Sequence, residues 1–456
     1  MEKTKQKSKQ KSKQKSNRRP WYLGIGPSLI TACVVIGPGS VFASSQVGAA
    51  EGYSRNWIIL SAALFMMVYM GLGAKLGAAT KLSPGTLISD RAGRPVAVLI
   101  GGSVFLIAAL FQFGNNLGVH TAVISMVEYE HWAVPLCWIV PLNALLLALV
   151  FGFRDLYKAL ERLMMVFVSV MLLAFAVNLF LARPNPLLLL RGFIPSWSSD
   201  MDISVLGLVG TTFVIAAAFF QTYLVQQKGW GKEDVRQSVV DARVGTMVML
   251  LITLMIVSTS AAVFYQPIQS DIAAGTAEAV QLKSVGQVAE QLKPLLGKWG
   301  QVVFCCGLFS AAYSSFLVNS MVGGLLLADG LGLGSRPDQP WPRVLTAGVL
   351  VIGMCVAMAM IIIDAKFIPM IIFAQALVVL VVPVLAVVLL WLTNLRDVMG
   401  EDRNGPWTNA AAVGGLVLLL IMAYITAVYA IPKNLAKLRA TPAVIETLPA
   451  ETPVAD

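Results

Sequence analysis

Long apolar segments, separated by short polar connections, follow one another along almost the entire chain. About eleven of them are long enough to cross the hydrocarbon core of a bilayer, which takes ~20 residues of α-helix. They are continuously apolar rather than alternating, which excludes a transmembrane β-barrel. The predicted spans are residues 24–50, 56–79, 96–122, 132–151, 160–182, 203–229, 242–266, 299–328, 343–363, 367–394 and 410–431. We therefore expect an all-α polytopic membrane protein.

The first predicted span is interrupted near its middle by Gly37-Pro38-Gly39. Pro38 lacks a backbone donor and clashes with the preceding turn, and the two glycines add backbone freedom that folding must remove. Inside hydrocarbon, every backbone group that such a break frees must find a partner. A break is therefore stable only where it is buried in protein or lines a cavity, so this one predicts a substrate site at residues 36–40.

Charge is scarce and unevenly distributed. Only 13% of the 456 residues are charged, too few to cover the surface of a soluble protein of this length. Much of the net charge of +10 lies in residues 1–20, which we expect to form a disordered cytoplasmic tail that touches anionic lipid and binds no nucleic acid. Basic connections after the even-numbered spans predict a cytoplasmic amino terminus in the cell (inner) membrane. The odd number of spans then places residues 433–456, an expected disordered tail, outside the cell.

Dispersed motifs occur in order along residues 21–432, which we take as the transporter domain. They include Gly26-Pro27-Ser28-Leu29-Ile30 and Gly37-Pro38-Gly39-Ser40 in the first span, Gly192-Phe193-Ile194-Pro195 after the fifth, and the run Gly307 to Ser315 in the eighth. With these motifs the chain resembles the Nramp family of divalent metal transporters. The resemblance implies a leucine-transporter-like fold, with two inverted five-helix repeats at about 24–182 and 203–394 and an eleventh helix.

The resemblance also implies that the first and sixth helices are unwound at mid-membrane. The first span carries its own signal for such a break. The sixth span does not, because residues 211–221 contain neither Gly nor Pro and by themselves predict a continuous helix. A break in the sixth span is therefore expected from the family alone.

The chain departs from the family at the positions that bind metal. The family's metal-binding Asp and Asn fall on Gly37 and Ser40, and its Met falls on Val214, which replaces a thioether that selects soft metals by an alkyl group. The carbonyl donor that precedes this Met falls on Thr211, and Gln375 matches a position that can reach the metal. These five residues form the predicted substrate site, and none of them offers a metal ligand of the family type.

Buried amides replace the family's proton path. The acidic pair tied to proton movement in the family falls on Gln112 and Asn115, and amides cannot relay a proton as carboxylates do. Asn116 shares a helix face with Gln112, since residues four apart are neighbours, and buried amides need partners. We expect these three residues, with Gln221 in the sixth span, to form a polar cluster that lines the pathway. The alternative is that they join helices by hydrogen bonds.

Acidic residues are missing from the centres of the predicted spans. Glu161, Asp241 and Asp329 lie near span ends. A divalent cation that lost its water in a neutral site would have no counter-charge, which costs several kcal/mol. Mg²⁺ dehydrates reluctantly and keeps several waters, so a neutral cage of amides and hydroxyls suits a hydrated ion of this kind.

Three functions remain open at this point. We favour transport of a divalent metal ion in hydrated, Mg²⁺-like form by alternating access without proton coupling. The second is transport of a small organic or anionic solute, because the positive end of a helix dipole near residues 40–43 favours such a group. The third is a receptor or scaffold that has kept the fold. No nucleophile–base pair, phosphate loop or cofactor motif occurs. We therefore expect neither an enzyme nor a cofactor, and only a small solute or ion and the bilayer as partners, with the oligomeric state left open.

Overall fold

The computed structural model describes residues 26–124, 134, 136–152, 156–196, 203–273, 276, 280, 282, 298–363, 374 and 376–432. The predicted tails and Gln375 lie outside these residues. All regular structure in the described part is helical. The main helices are α1 (Pro27–Val35), α2 (Pro38–Glu51), α3 (Asn56–Ala79), α4 (Pro84–Ala92), α5 (Arg94–Ile124), α6 (Leu136–Gly152), α7 (Leu156–Ala182), α8 (Pro186–Arg191), α9 (Ile203–Thr212), α10 (Ile215–Gln227), α11 (Val235–Ser260), α12 (Lys298–Leu331), α13 (Pro340–Ile362), α14 (Val382–Asn394) and α15 (Pro406–Ile425).

Each of the eleven predicted spans has a helical counterpart in the described part. Eight segments there are long and apolar enough to cross a membrane, one of them formed by α9 and α10 together. The helices α1 and α2 form a further span that is bent by 58° at its break. The shorter apolar helix α6 corresponds to the fourth predicted span, and α14 is the described part of the tenth. The prediction of a polytopic all-α membrane protein is confirmed.

Several helix boundaries follow proline rather than the apolar pattern. Proline stands in the first turn of α1, α2, α4, α13 and α15, where it needs no backbone donor and its fixed φ already suits a helix. The ninth and eleventh spans consequently begin a few residues earlier than their apolar runs predict. Two short helices, α4 and α8, lie in connections where no helix was predicted, and both are capped by the preceding residue, Ser83 or Asn185.

Helices from the two halves of the chain pack in matching pairs. The second span, α3, packs on the seventh, α11; the third, α5, packs on the eighth, α12; and the fourth, α6, packs on the ninth, α13. The two interrupted spans cross each other, because α9 packs on α2 and α10 packs on α1. This pairing is what the predicted leucine-transporter-like arrangement of two five-helix repeats requires.

The interrupted spans occupy the interior of the bundle. The segment Ser204–Gln227 is buried throughout its most apolar window, whereas the ninth and eleventh spans bury less than a third of theirs. The outer helices expose large apolar side chains such as Leu173 and Phe180, as helices that face lipid do. Three of the five cysteines, Cys137, Cys306 and Cys355, are also exposed. The other two, Cys33 and Cys305, are buried in the core.

Candidate functional site

The break in the first span lies at Ile36 and Gly37, between α1 and α2. Gly37 has an extended backbone, with φ −123° and ψ −178°, which any residue can adopt. The neighbouring side chains, and not the backbone conformation, account for a residue without a side chain at this position. A Cβ atom at residue 37 would lie 2.9 Å from Ser315 Oγ and 3.1 Å from Asn115 Oδ1. The break is thus bordered closely by two neutral side-chain oxygens.

Side chains of the eighth span donate hydrogen bonds to the carbonyl groups that this break frees. Ser315 Oγ of α12 lies 2.5 Å from the Cys33 carbonyl oxygen and 3.0 Å from that of Ile36. Asn319 Nδ2, one turn further along α12, donates to the Val34 carbonyl at 3.4 Å. These contacts meet the requirement that backbone groups freed in a membrane span find partners. The motif from Gly307 to Ser315 was used only for the family resemblance, and this role of Ser315 was not predicted from the sequence.

The sixth span is interrupted at Phe213 and Val214, between α9 and α10. The continuous helix that its residue pattern alone predicts is therefore wrong. Val214 has an extended backbone, with φ −89° and ψ 91°, although valine is not a helix-breaking residue. The interruption is packed in the core. The fully buried Phe213 ring lies 6.3 Å from the ring of Phe65 and 5.6 Å from that of Tyr69, both on α3. These ring contacts fix the position of the interrupted residues.

The predicted substrate residues in the described part lie at these two breaks. Because α9 crosses α2 and α10 crosses α1, both breaks lie where the four half-helices meet. Ser40, Thr211 and Val214 are each at most 2% exposed, and Gly37 is buried with them. Thr211 Oγ1 donates to the Leu208 carbonyl in its own helix at 3.0 Å. The structure thus describes a conformation in which the site is closed.

Three of the four predicted pathway amides come together in the fold. Asn115 Nδ2 donates to Gln112 Oε1 at 3.2 Å, and Asn116 Nδ2 donates to the Gln112 carbonyl at 3.0 Å. Asn143 of α6, which sequence reasoning missed, donates through Nδ2 to Asn116 Oδ1 at 2.7 Å. Gln112 Nε2 has no partner among the described residues. Through Asn115 Oδ1 this amide chain reaches the space beside Gly37.

Gln221, the fourth predicted pathway residue, lies in a separate network. Its Nε2 donates to Asp241 Oδ2 at 3.1 Å, and its Oε1 accepts from Thr31 Oγ1 at 3.0 Å. Asp241 also accepts from the backbone N–H groups of Gly26 at 2.9 Å and Ser28 at 3.0 Å. A carboxylate at the first N–H groups of α1 satisfies free donors and complements the positive end of the helix dipole. Gln221 therefore helps to hold the start of α1.

Asp241 and Asp329 are buried carboxylates that the sequence placed only near span ends. Since α11 begins at Val235, Asp241 lies inside a helix and is fully buried. Asp329, at 3% exposure near the end of α12, accepts from Gly85 N, Ser83 Oγ and Tyr223 Oη, each at 2.6 Å. No local signal could have found most of these partners, because all except Gln221, which is 20 residues from Asp241, lie more than 100 residues away along the chain.

The opposite end of the interrupted spans is also covered. Gln46 of α2 accepts a hydrogen bond through Oε1 from the Leu282 backbone N–H at 2.8 Å. Ser260 Oγ of α11 donates to the Ser45 carbonyl at 2.5 Å. Beside them lies a small cavity that is lined in part by Ser45, Asn178 and Ser260. Contacts therefore close the bundle at both ends of the predicted site.

The chemistry around the two breaks is neutral. The side chains next to Gly37 present a hydroxyl oxygen and an amide oxygen, and the alkyl side chain of Val214 lies at the second break. Within the described ranges, no three His, Cys, Asp or Glu side chains group closely enough to hold a metal ion. A solute here would be held by hydrogen bonds, backbone groups and the helix ends, and not by charged ligands.

A multi-pass helical bundle whose two interrupted spans cross at a buried polar site is typical of secondary membrane transporters. The chain is a member of the family described as natural resistance-associated macrophage protein-like, whose model matches residues 28–429. The predicted family is thus confirmed.

Relatives in both sequence and structure cover most of the chain. A divalent metal cation transporter MntH from Chromohalobacter salexigens is 26% identical over 425 residues, which is 89% of this chain and 90% of the relative. An MntH from Staphylococcus haemolyticus is 21% identical over 409 residues, covering 87% and 89% of the two chains. A crystal structure of a manganese transporter variant from Eremococcus coleocola matches with a TM-score of 0.71 at 19% identity, covering 91% of this chain and 87% of that one. MhsT in complex with L-phenylalanine matches with a TM-score of 0.56 at 15% identity, covering 87% and 98%. These structures share the fold of this chain.

Proposed function

We propose that this protein transports a divalent metal ion across the membrane by alternating access and handles the ion in a hydrated, Mg²⁺-like form. Membership of the family supports the substrate class, since relatives carry the name of divalent metal cation transporters and are not enzymes. The observation that carries the choice of a hydrated ion is the pair of neutral oxygens, on Ser315 and Asn115, that borders Gly37. The substrate residues would be Gly37, Ser40, Thr211, Val214 and Gln375.

The water molecules that a hydrated ion retains would make the contacts between the ion and the site. Hydroxyl and amide oxygens accept hydrogen bonds from water molecules that an ion retains, and Mg²⁺ retains its water more readily than it gives it up. A bare transition-metal ion would instead leave a double charge buried without a counter-charge, at several kcal/mol. The neutral oxygens beside Gly37 therefore suit a hydrated ion better than a dehydrated one.

Transport is proposed to proceed without proton coupling. The positions that correspond to the family's acidic pair carry Gln112 and Asn115, which hydrogen-bond to each other inside the bundle. Because amides do not titrate in the physiological range, this pair can line the path of an ion but cannot pass a proton along it. With the amino terminus in the cytoplasm, as the loop charges predict, the network at Gly26 and Asp241 would close the cytoplasmic end.

Uptake into proteoliposomes tests this function. Vesicles loaded with a Mg²⁺-sensitive or a Mn²⁺-sensitive dye should show Mg²⁺ entry that exceeds Mn²⁺ entry and that an inward proton gradient does not accelerate. Replacing Asn115→Leu should abolish entry. Replacing Asn409→Leu, an amide that pairs with Asn394 between α14 and α15, should leave it unchanged. No flux above empty liposomes for any divalent ion, or steep stimulation by protons, would overturn the proposal.

The alternative is transport of a small organic or anionic solute on the same scaffold. The helix α2 begins at Pro38 with no acidic residue in its first turn, so its positive dipole end is not neutralised there by its own side chains. Thermal-shift screening of amino acids, carboxylates and divalent metals on the purified protein separates the two substrates. Stabilisation by an organic acid and by no metal would favour the alternative.

A further inference from the structure

Three arginines lie on the outer surface of α7 and α11, near the ends at which these two helices begin. Arg162 lies in the second turn of α7, and Arg236 and Arg243 lie in the first and third turns of α11. All three are exposed, and none forms a hydrogen bond or an ion pair with another residue that the structure describes. Since a guanidinium group keeps its charge, these arginines are available to an anionic partner from outside the protein.

The surface next to these arginines is apolar and faces lipid. Arg236 and Arg243 are two helical turns apart and therefore lie on one face of α11, which continues into Met247, 44% exposed. On α7, Arg162 is followed one turn later by Val166, which is 60% exposed. Long basic side chains at such a border extend their charged ends to the level of the lipid phosphates.

The arginines of the two helices lie at one level of the bundle. The carboxylate of Glu161, next to Arg162, would touch a Cβ atom at Gly26. Asp241, two residues before Arg243, accepts a hydrogen bond from the Gly26 backbone N–H at 2.9 Å. The helices α7 and α11 also pack on each other and on α1. Arg162 and Arg243 therefore lie on adjacent helices at the level at which α1 begins.

Acidic groups of this region leave the positive charge uncompensated. Glu161 pairs with Lys228 at 2.9 Å, and Asp241 accepts from backbone N–H groups and from Gln221 inside the bundle. In the turn before α11, Asp234 accepts from the Gly231 backbone N–H at 3.1 Å. The exposed Glu233 of the same turn is outnumbered by the three arginines.

Other arginines near helix ends bind groups of the protein itself. Arg91 pairs with Asp397. Arg94 donates to the Gly330 carbonyl at 3.3 Å, and Arg343 donates to the Phe151 carbonyl at 3.3 Å. The fold therefore offers internal partners to some of its arginines, but directs those of α7 and α11 outwards.

We propose that Arg162, Arg236 and Arg243 form a binding surface for an anionic phospholipid. The guanidinium groups pair with the phosphate, whose oxygens match their fork of N–H donors, and the acyl chains lie along the exposed apolar faces of α7 and α11. Basic residues between transmembrane helices bind anionic headgroups in this way. A phospholipid without net charge lacks the excess negative charge that these arginines attract.

A lipid on this surface acts on the conformation of the bundle. The same two helices hold the start of α1, since Asp241 accepts from its first N–H groups and Glu161 adjoins Gly26. A lipid that binds α7 and α11 together favours the conformation in which both contact α1, because a ligand stabilises the state that it binds. This effect does not depend on which solute is transported.

Lipid binding is tested on the full-length protein in detergent without divalent metal. Phosphatidylglycerol should raise the unfolding temperature saturably and remain bound in native mass spectrometry, whereas phosphatidylcholine with the same acyl chains should do neither. Arg162→Gln and Arg243→Gln should each weaken phosphatidylglycerol binding about fivefold, as expected for one basic residue at an anionic lipid. Arg336→Gln is the control, because it removes the same charge from an exposed arginine that pairs with Asp338. It should leave the binding unchanged.

Comparison of the variants identifies the surface, because residues 1–20 are also basic. Unchanged phosphatidylglycerol binding in the Arg162→Gln and Arg243→Gln double variant would overturn the proposal, and so would an equal loss in Arg336→Gln. Equal binding of phosphatidylcholine, or equally tight binding of soluble glycerol phosphate, would contradict an anionic lipid as the partner. Loss of binding at high salt would support it, since exposed charges are screened. No metal is present, so these results are separate from those on divalent uptake.

Discussion

At the scale of single residues, position 37 concentrates the departure of this chain from its family. The predicted exchange of a ligand Asp for Gly37 removes the charge of the site. The structure adds that the space at this position is already bordered by Ser315 and Asn115. Restoring a carboxylate therefore requires room as well as a new ligand.

We predict that Gly37→Asp, combined with Ser40→Asn, Val214→Met and Ser315→Ala, moves the site towards transition-metal binding. The carboxylate supplies the counter-charge and the thioether supplies a soft ligand. Ser315→Ala removes the hydroxyl that a Cβ atom at residue 37 would approach to 2.9 Å. Calorimetry with Mn²⁺ should detect binding in this variant, whereas the same variant with Gly37 retained should show none. Absence of Mn²⁺ binding in both would mean that the loss extends beyond these ligands.

At the scale of elements, the broken first span is positioned by close packing on the third. Gly118 of α5 lies directly against the Pro38 ring at the start of α2, since a Cβ atom there would come within 2.2 Å of the ring. Pro38 thus has two effects. It ends the backbone bonding of α1, and it fits against a helix that has no side chain at this point.

We predict that Gly118→Ala destabilises the protein by about 1–3 kcal/mol, as overpacking of a dense interior does. The added methyl group would collide with Pro38 and displace α2 from α5. Gly102→Ala in the same helix is the matched control, because a Cβ atom there meets nothing within 4 Å. It should be neutral or gain up to about 1 kcal/mol from helix propensity. Denaturant unfolding in detergent compares the two, and equal shifts would contradict the packing argument.

At the scale of the whole molecule, buried carboxylates tie the ends of distant helices together. Asp241 joins α11 to the start of α1 and to α10. Asp329 joins the end of α12 to α4 and α10. Lys228 and Glu161, 2.9 Å apart, add a link between the end of α10 and α7. All these contacts lie at the end of the bundle where α1 begins, so they must loosen if the site is to open there.

We predict that Asp241→Ala destabilises this closed conformation. The substitution leaves the buried N–H groups of Gly26 and Ser28 without their acceptor, at about 1–3 kcal/mol for each group left unsatisfied. Asp338→Ala is the control, because that carboxylate forms an exposed pair with Arg336 worth about 1 kcal/mol at most. Thermal unfolding should separate the two variants clearly. Similar small shifts in both would show that Asp241 does not hold α1.

The site could be predicted from the sequence only where its signal is local. Gly37-Pro38-Gly39 breaks a helix through its own backbone chemistry, and the three amides from Gln112 to Asn116 share a helix face because of their spacing. Gln221 looked like a fourth member of that cluster by residue type alone. The fold pairs it with Asp241 instead, since the choice among possible partners for a buried amide depends on which helices pack together.

The sequence by itself therefore determined the membrane class, the eleven spans, the family and the first break, because apolar length and backbone-breaking residues act within a few turns of chain. Tertiary structure alone located the break of the sixth span at Phe213–Val214, where the buried Phe213 ring packs on α3, because no residue at this point of that span breaks a helix locally. It also decided the partner of Ser315, whose hydroxyl meets the freed carbonyls of α1 from a position 279 residues further along the chain. The Gly-Pro-Gly break leaves those carbonyls without a backbone partner, and the packing of α12 against α1 determines which side chain donates to them.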